Sequence, residues 1–146
     1  MSEDKVTLVG GCHCQSVRFE VQVPGPQGLV HLVAWDCNCS ICKMKRNVHF
    51  VVPEACFKLV KGSEEGQITT YTYNTKVAKH CFCATCGVQS YYRPRSNPDG
   101  FAVTLHCLDE PGLGDQPQYT YEIRPFNGQN WEEFVEGSGI RDMSKP

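Results

Sequence analysis

Three short runs concentrate the reactive residues of this chain: GCHC at 11–14, CNCSIC at 37–42 and CFCATC at 81–86. Together they hold eight of its ten cysteines. Thiolates bind zinc, which takes about four ligands in a tetrahedron with Zn–S of ~2.3 Å. Two cysteines one or two residues apart can share an ion, so a site usually joins two such pairs from distant segments. Cys12 and Cys14 make one pair. Cys83 and Cys86 make another, with Gly87 relieving the backbone just behind it. The four form a complete, closed set of the structural kind. Cys37, Cys39 and Cys42 are then left as three thiolates with one vacancy, the arrangement of a catalytic zinc. Cys81 keeps a second possibility open. It lies two residues before Cys83, so on an extended strand both sulfurs take the same side. It either stays by the first ion or fills the vacancy at the second, making both sites closed. Cys56 and Cys107 stand alone and read as small buried hydrophobes.

The composition sets the surroundings for this chemistry. The chain has 146 residues, enough for one domain over 1–146 with its core at about 8–137. Apolar residues make up 40% and charged residues 21%, without a low-complexity run, which excludes a disordered chain. The net charge of −2 leaves no basic footprint for nucleic acid or membrane binding. The acidic, polar start MSEDK is no signal peptide, and no apolar run approaches the ~20 residues that cross a bilayer. The expectation is a cytoplasmic or nuclear protein in a reducing compartment, where clustered cysteines are metal ligands before they are disulfides.

The elements that must position the sulfurs are strands. VRFEVQV at 17–23 puts Val17, Phe19, Val21 and Val23 on one face and Arg18, Glu20 and Gln22 on the other. LVHLVAW, VHFVV, FKLV, ITTYTY, VQSYYR, FAVTLHCL and YTYEIRPF repeat the theme. Between them lie turn sequences such as PGPQG at 24–28, KGSEEG at 61–66 and RSNPDG at 95–100. The best helix is NWEEFVE, with Asn130 as cap and Glu133 completing a capping box. A single helical turn after Cys39 is a weaker candidate. The pattern predicts an all-β, mainly antiparallel, zinc-binding domain with a short C-terminal helix, its cysteine runs at strand ends.

GGCHCQSVRFEV, CNCSICKMKRN and HCFCATCGVQSYYRPRSNPDG, followed by HCLD, resemble the glutathione-dependent formaldehyde-activating enzyme family, and within it the centromere protein V branch. The likeness runs from about Gly10 through FNGQNWEEF and rests on seven ordered cysteines with their flanking glycines. It implies a fold of the Mss4-like type and two zinc ions. A structural ion matches Cys12, Cys14, Cys83 and Cys86; a second matches Cys37, Cys39 and Cys42. The implied activity is carbon–sulfur lyase chemistry, with condensation of formaldehyde and glutathione to S-hydroxymethylglutathione as its founding reaction. Cys81 departs from the family pattern, where a non-ligand residue is expected. The long basic N-terminal region of vertebrate centromere protein V has no match here, and its chromosome and microtubule roles do not carry over.

That chemistry needs further groups. His49 and His106 are candidates for proton transfer because imidazole titrates near neutral pH, and Asp109 is placed to orient His106. Glutathione carries two carboxylates, and Lys43, Arg46, Arg93 and Arg95 flank the cysteine runs as possible forks for them. Tyr91, Tyr92 and Trp35 are candidate walls of the pocket. The expected partners are glutathione or a related thiol and a small aldehyde. An exposed edge strand makes a homodimer a further possibility. The rival expectation is a non-catalytic interaction module with both zinc sites closed.

Overall fold

The computed structural model describes residues 4–63, 65–73 and 76–145, so Glu64 of the expected 61–66 turn lies outside the described residues. β1 (Lys5–Gly11) and β2 (Arg18–Pro24) form an antiparallel hairpin, with Gly11 opposite Arg18 at its closed end. Cys12 and Cys14 sit in that connection. β2 also pairs with β5 (Phe57–Lys61), giving a three-stranded sheet in the order β1-β2-β5.

The second sheet has five strands. β3 (Val30–Cys37), β4 (Val48–Pro53), β8 (Tyr91–Tyr92), β9 (Gly100–Thr104) and β10 (Tyr119–Phe126) lie in the order β10-β3-β4-β9-β8. All its pairings are antiparallel except β10 with β3, which run parallel. β6 (Ile68–Tyr71) and β7 (His80–Cys83) form a separate antiparallel pair.

Alternation decides what each sheet buries. Val17, Phe19, Val21 and Val23 are buried as their period of two predicts. Leu8, Phe19, Val21 and Val23 meet Leu32, Ala34, Phe50, Val52 and Val103 of the second sheet. Full burial of one such side chain contributes about 1.5–3 kcal/mol, enough to select the inward face of each strand. β4 is buried on both sides: Phe50 and Val52 face this core, while Val51 packs in a second cluster with Trp35, Cys37, Cys42 and Tyr92.

Two helices complete the fold. α1 (Ser40–Lys45) starts at Cys39 and ends on Arg46 in the left-handed region at φ 53°, so the turn expected after Cys39 is a full short helix. α2 (Trp131–Ser138) has Asn130 at its N-cap. The capping box is not formed, because Asn130 makes no side-chain cap bond; Glu132 and Glu133 instead place negative charge at the helix start. The strand expected through FAVTLHCL stops at Thr104, where Leu105–Cys107 turn as a 3₁₀ segment and bury Leu105. Asn97, fully buried, donates to the carbonyls of Ile140 (2.8 Å) and Arg141 (3.2 Å) and bonds Ser144 Oγ (2.8 Å). It thereby pins the C-terminal 3₁₀ segment Ile140–Ser144 onto the domain. No helix among the described residues is long and apolar enough to cross a membrane.

Candidate functional site

The sulfurs of Cys12, Cys14, Cys83 and Cys86 all lie within 4.8 Å of one another. Cys14 Sγ is 3.7 Å from Cys12 Sγ and 3.6 Å from Cys83 Sγ. Four sulfurs at zinc-bond length in a tetrahedron stand about 3.8 Å apart, so the donor set fits zinc. The backbone is shaped for it. The N–H groups of Thr85 and Cys86 point at Cys83 Sγ at 3.4 and 3.5 Å, Gln67 Nε2 approaches it at 3.3 Å, and Gly87 turns the chain at φ +78°. Burial pushes the Cys83 thiol up, but the N–H groups of Cys86 and Thr85 and the Gln67 amide outweigh it and bring it down to about 6. A thiol held this way is ready to ligate as thiolate.

Cys37, Cys39 and Cys42 form a second convergent set, also within 4.8 Å. Cys37 ends β3, Cys39 caps α1, and Cys42 sits on its buried side. Three thiols this close cannot all ionise alone. Hydrogen bonds from Cys37 and Cys42 bring Cys39 down to about 2, while sharing with Cys39 pushes Cys37 up to about 11, and sharing with Cys37 and Cys39 pushes Cys42 up. A divalent cation resolves that conflict, and the set fits one with a position left open.

Cys81 belongs to neither set. Its sulfur lies 3.8 Å from Thr70 Oγ1 and 3.6 Å from the Lys79 carbonyl, within the cluster that holds Cys12, Cys83 and Tyr91. Strand geometry explains this. Cys81 shares a face with Cys83 as expected, but it lies inside β7 opposite Thr70, whereas Cys83 ends the strand where the chain turns toward Cys86. The neighbouring position, His80, takes the opposite face, toward the three-cysteine set. The closed reading of that set thus loses its fourth sulfur.

The three-cysteine set opens on a cavity of about 440 Å³. Ligand pockets commonly span about 300–1,000 Å³. His49 and Tyr92 line it beside Cys37, Cys39 and Cys42. The buried Tyr92 hydroxyl lies 3.1 Å from His49 Nε2 and 3.9 Å from Cys42 Sγ, so it stands between imidazole and sulfur. Burial pushes His49 down to about 4, against the pull of Cys39, and raises Tyr92 well above its ordinary range. Both are neutral at pH 7. His80 also lines the cavity, lowered by burial and by the Lys45 charge. His49 Nδ1 and His80 Nε2 are enclosed without a hydrogen-bond partner among the described residues. An enclosed polar atom left unmet costs about 1–3 kcal/mol.

The remaining candidates separate. Arg95 lines the cavity, its guanidinium 3.9 Å over the Trp131 ring and 3.6 Å from Glu132. Lys43 and Arg46 line a second cleft on the other side of Cys37 and Cys42. Arg93 is tied into the fold: it bonds Glu54 at 3.0 Å and the Pro98 carbonyl at 2.8 Å, and covers the Phe101 ring. His106 is exposed, edge-on to Tyr121, and does not line the cavity. Asp109 does not orient it, because both its oxygens take Arg18 at 3.0 and 2.7 Å. Tyr91 packs with Phe57 and Phe101, and Trp35 donates Nε1–H to Met143 Sδ at 3.2 Å, so of the three aromatic candidates only Tyr92 forms the wall. Cys56 is buried as expected; Cys107 is half-buried.

The sequence reading missed His80, Trp131 and Gly128. Trp131 was legible only as a helix residue, and Gly128 only as part of a loop. A Cβ on Gly128 would sit 2.6 Å from Cys37 Sγ, 2.6 Å from Cys39 Cβ and 2.8 Å from Cys39 N. Gly128→Ala is therefore expected to displace the cysteine loop and weaken metal binding there by roughly 10–100-fold, the scale of losing a ligand's support, with little change in melting temperature. Competition with a chromophoric chelator measures it.

Residues 7–125 match the family described as glutathione-dependent formaldehyde-activating enzyme. This chain belongs to that family. A crystal structure of a Rhodobacter sphaeroides protein is similar at 30% identity and a TM-score of 0.61, covering 77% of this chain and 100% of that one. The family match is to the family as a whole and ends at residue 125. Phe126, Gly128, Gln129, Trp131 and Ile140, which complete the cavity, lie beyond it. In this member of the formaldehyde-activating family, the C-terminal segment thus contributes a wall of the candidate site.

Proposed function

We propose that this protein is a zinc-dependent enzyme joining and separating a thiol and a small aldehyde, with glutathione and formaldehyde as the pair the family suggests. The reading treats 1–146 as one domain with two zinc ions. Cys12, Cys14, Cys83 and Cys86 hold the structural ion; Cys37, Cys39 and Cys42 hold the reactive one. One observation carries it: three convergent sulfurs, without a fourth protein ligand among the described residues, open on a cavity bearing neutral Tyr92, His49 and a held cation, Arg95. Bound zinc would supply positive charge there, lowering the pKa of an incoming thiol and polarising a carbonyl oxygen.

The chain's own residues handle the rest. Arg95, held by Trp131 and Glu132, offers a guanidinium to a carboxylate of glutathione. The Tyr92 hydroxyl, backed by His49 Nε2, is placed to pass a proton between the cavity and the buried imidazole. In the forward direction the thiol sulfur forms a bond to the carbonyl carbon, the C=O double bond becomes a C–O single bond, and the thiol proton ends on oxygen. In reverse the C–S bond breaks, which is carbon–sulfur lyase chemistry.

The test is to mix zinc-loaded protein with formaldehyde and glutathione and follow adduct formation by exchange NMR. The expected result is a rate well above the spontaneous one. A rate equal to background throughout the neutral pH range overturns the reading for this substrate pair.

A further inference from the structure

His80 has no part in that reaction, yet its ring lines the cavity and is held by two stacked tyrosines. It starts β7 and is buried, at 4% exposure. Tyr73 stacks on it with centroids 5.5 Å apart and planes 21° apart; Tyr92 stacks on it at 5.3 Å and 17°. The two tyrosines fix the plane of the imidazole and leave only its edge for hydrogen bonding. On that edge Nε2 is enclosed and lacks a partner among the described residues. Buried polar atoms are rarely left so, and those that are call for a ligand or ordered water. The ring lines the same cavity as Cys37, Cys39 and Cys42 and stacks on Tyr92, whose hydroxyl reaches Cys42 Sγ and His49.

We infer that His80 is a further substrate-contacting residue: its Nε2 hydrogen-bonds the reacting oxygen, the carbonyl of the aldehyde and the hydroxyl of the adduct. The inference rests on the thiol–aldehyde reading and adds to it the group that recognises the oxygen. A donor preorganised at that oxygen favours the state in which negative charge builds there. The site should accordingly prefer thioethers of glutathione that carry a hydroxyl close to sulfur over those that do not.

Two substitutions separate contact from packing. His80→Phe keeps a flat ring between Tyr73 and Tyr92 and removes the nitrogens. His80→Gln loses the ring and keeps a polar group at similar reach. Three readouts are taken on zinc-loaded protein: zinc content and melting temperature; kcat and KM for glutathione and formaldehyde; and calorimetric affinity for S-(2-hydroxyethyl)glutathione against S-ethylglutathione. Phe is expected to keep metal and melting temperature, to lower kcat by roughly 10²-fold, the scale of one lost donor of this kind, and to abolish the preference for the hydroxyl-bearing ligand. Gln is expected to restore part of both. If Phe keeps the kcat and the ligand preference of the unaltered protein, His80 is only a spacer and the inference is overturned. It is equally overturned if Gln loses function with melting temperature while Phe loses neither. An unaltered protein that neither binds the thioethers nor accelerates adduct formation overturns the thiol–aldehyde reading, and the role of His80 with it; an active unaltered protein beside an equally active Phe variant overturns His80 alone.

Discussion

Cys83→Ser is expected to unfold the protein rather than idle it. Cys83 is 2% exposed, and its sulfur is approached by the Gln67 amide and the N–H groups of Thr85 and Cys86. Through the four-sulfur set it ties the end of β7 to the hairpin connection near Cys14, 69 residues away in sequence. Binding of a structural zinc supplies about 10–16 kcal/mol in small domains. That matches or exceeds the roughly 5–15 kcal/mol by which whole domains are stable. Losing it also leaves crowded thiols and aimed N–H groups without their common partner. Far-UV circular dichroism should show loss of the cooperative melt, and a strong chelator should do the same to the unaltered protein. A Cys83→Ser protein that melts within a few degrees of the original would show that the four-sulfur set is not what holds the fold.

Cys39→Ser should do the opposite: the fold survives and the proposed activity is lost, because the ion that would activate thiol and carbonyl is no longer held. Cys39 occupies the N-cap of α1, with extended backbone angles of φ −62° and ψ 162°. Serine is among the best N-cap residues, so the helix start tolerates the exchange. The metal set does not, because two sulfurs and a hydroxyl are a poor cage for zinc. Zinc measured by elemental analysis should drop from two equivalents to one while the melting temperature moves little. Equal behaviour of Cys39→Ser and Cys83→Ser would erase the division between a structural and a reactive ion.

The sequence showed most clearly what depends on near neighbours along the chain. Alternation in VRFEVQV placed Phe19 and Val21 in the core, because the pleat repeats every two residues whatever lies across the sheet. Cysteine spacing likewise grouped Cys12 with Cys14 and Cys83 with Cys86, because each pair shares one turn of backbone. The family was legible for the same reason, since its motifs are short runs. Pairing by distance was not. Cys81 was placed on the correct side of its strand, but only the assembled sheets show which cluster that side faces.

The chemistry around the three-cysteine set was decided in three dimensions. His49 and His106 carry the same imidazole and looked equivalent as candidates. β4 turns His49 inward to the cavity, whereas the 3₁₀ segment after β9 turns His106 out to Tyr121. Of the four candidate cations Lys43, Arg46, Arg93 and Arg95, only Arg95 reaches this cavity, held over a tryptophan contributed by α2. Residue type and local spacing determined that this chain can gather zinc and along which strands. Tertiary structure alone decided which histidine, tyrosine and arginine face the open sulfur set. A side chain's face is set locally by the strand, but what that face meets is set by elements tens of residues away.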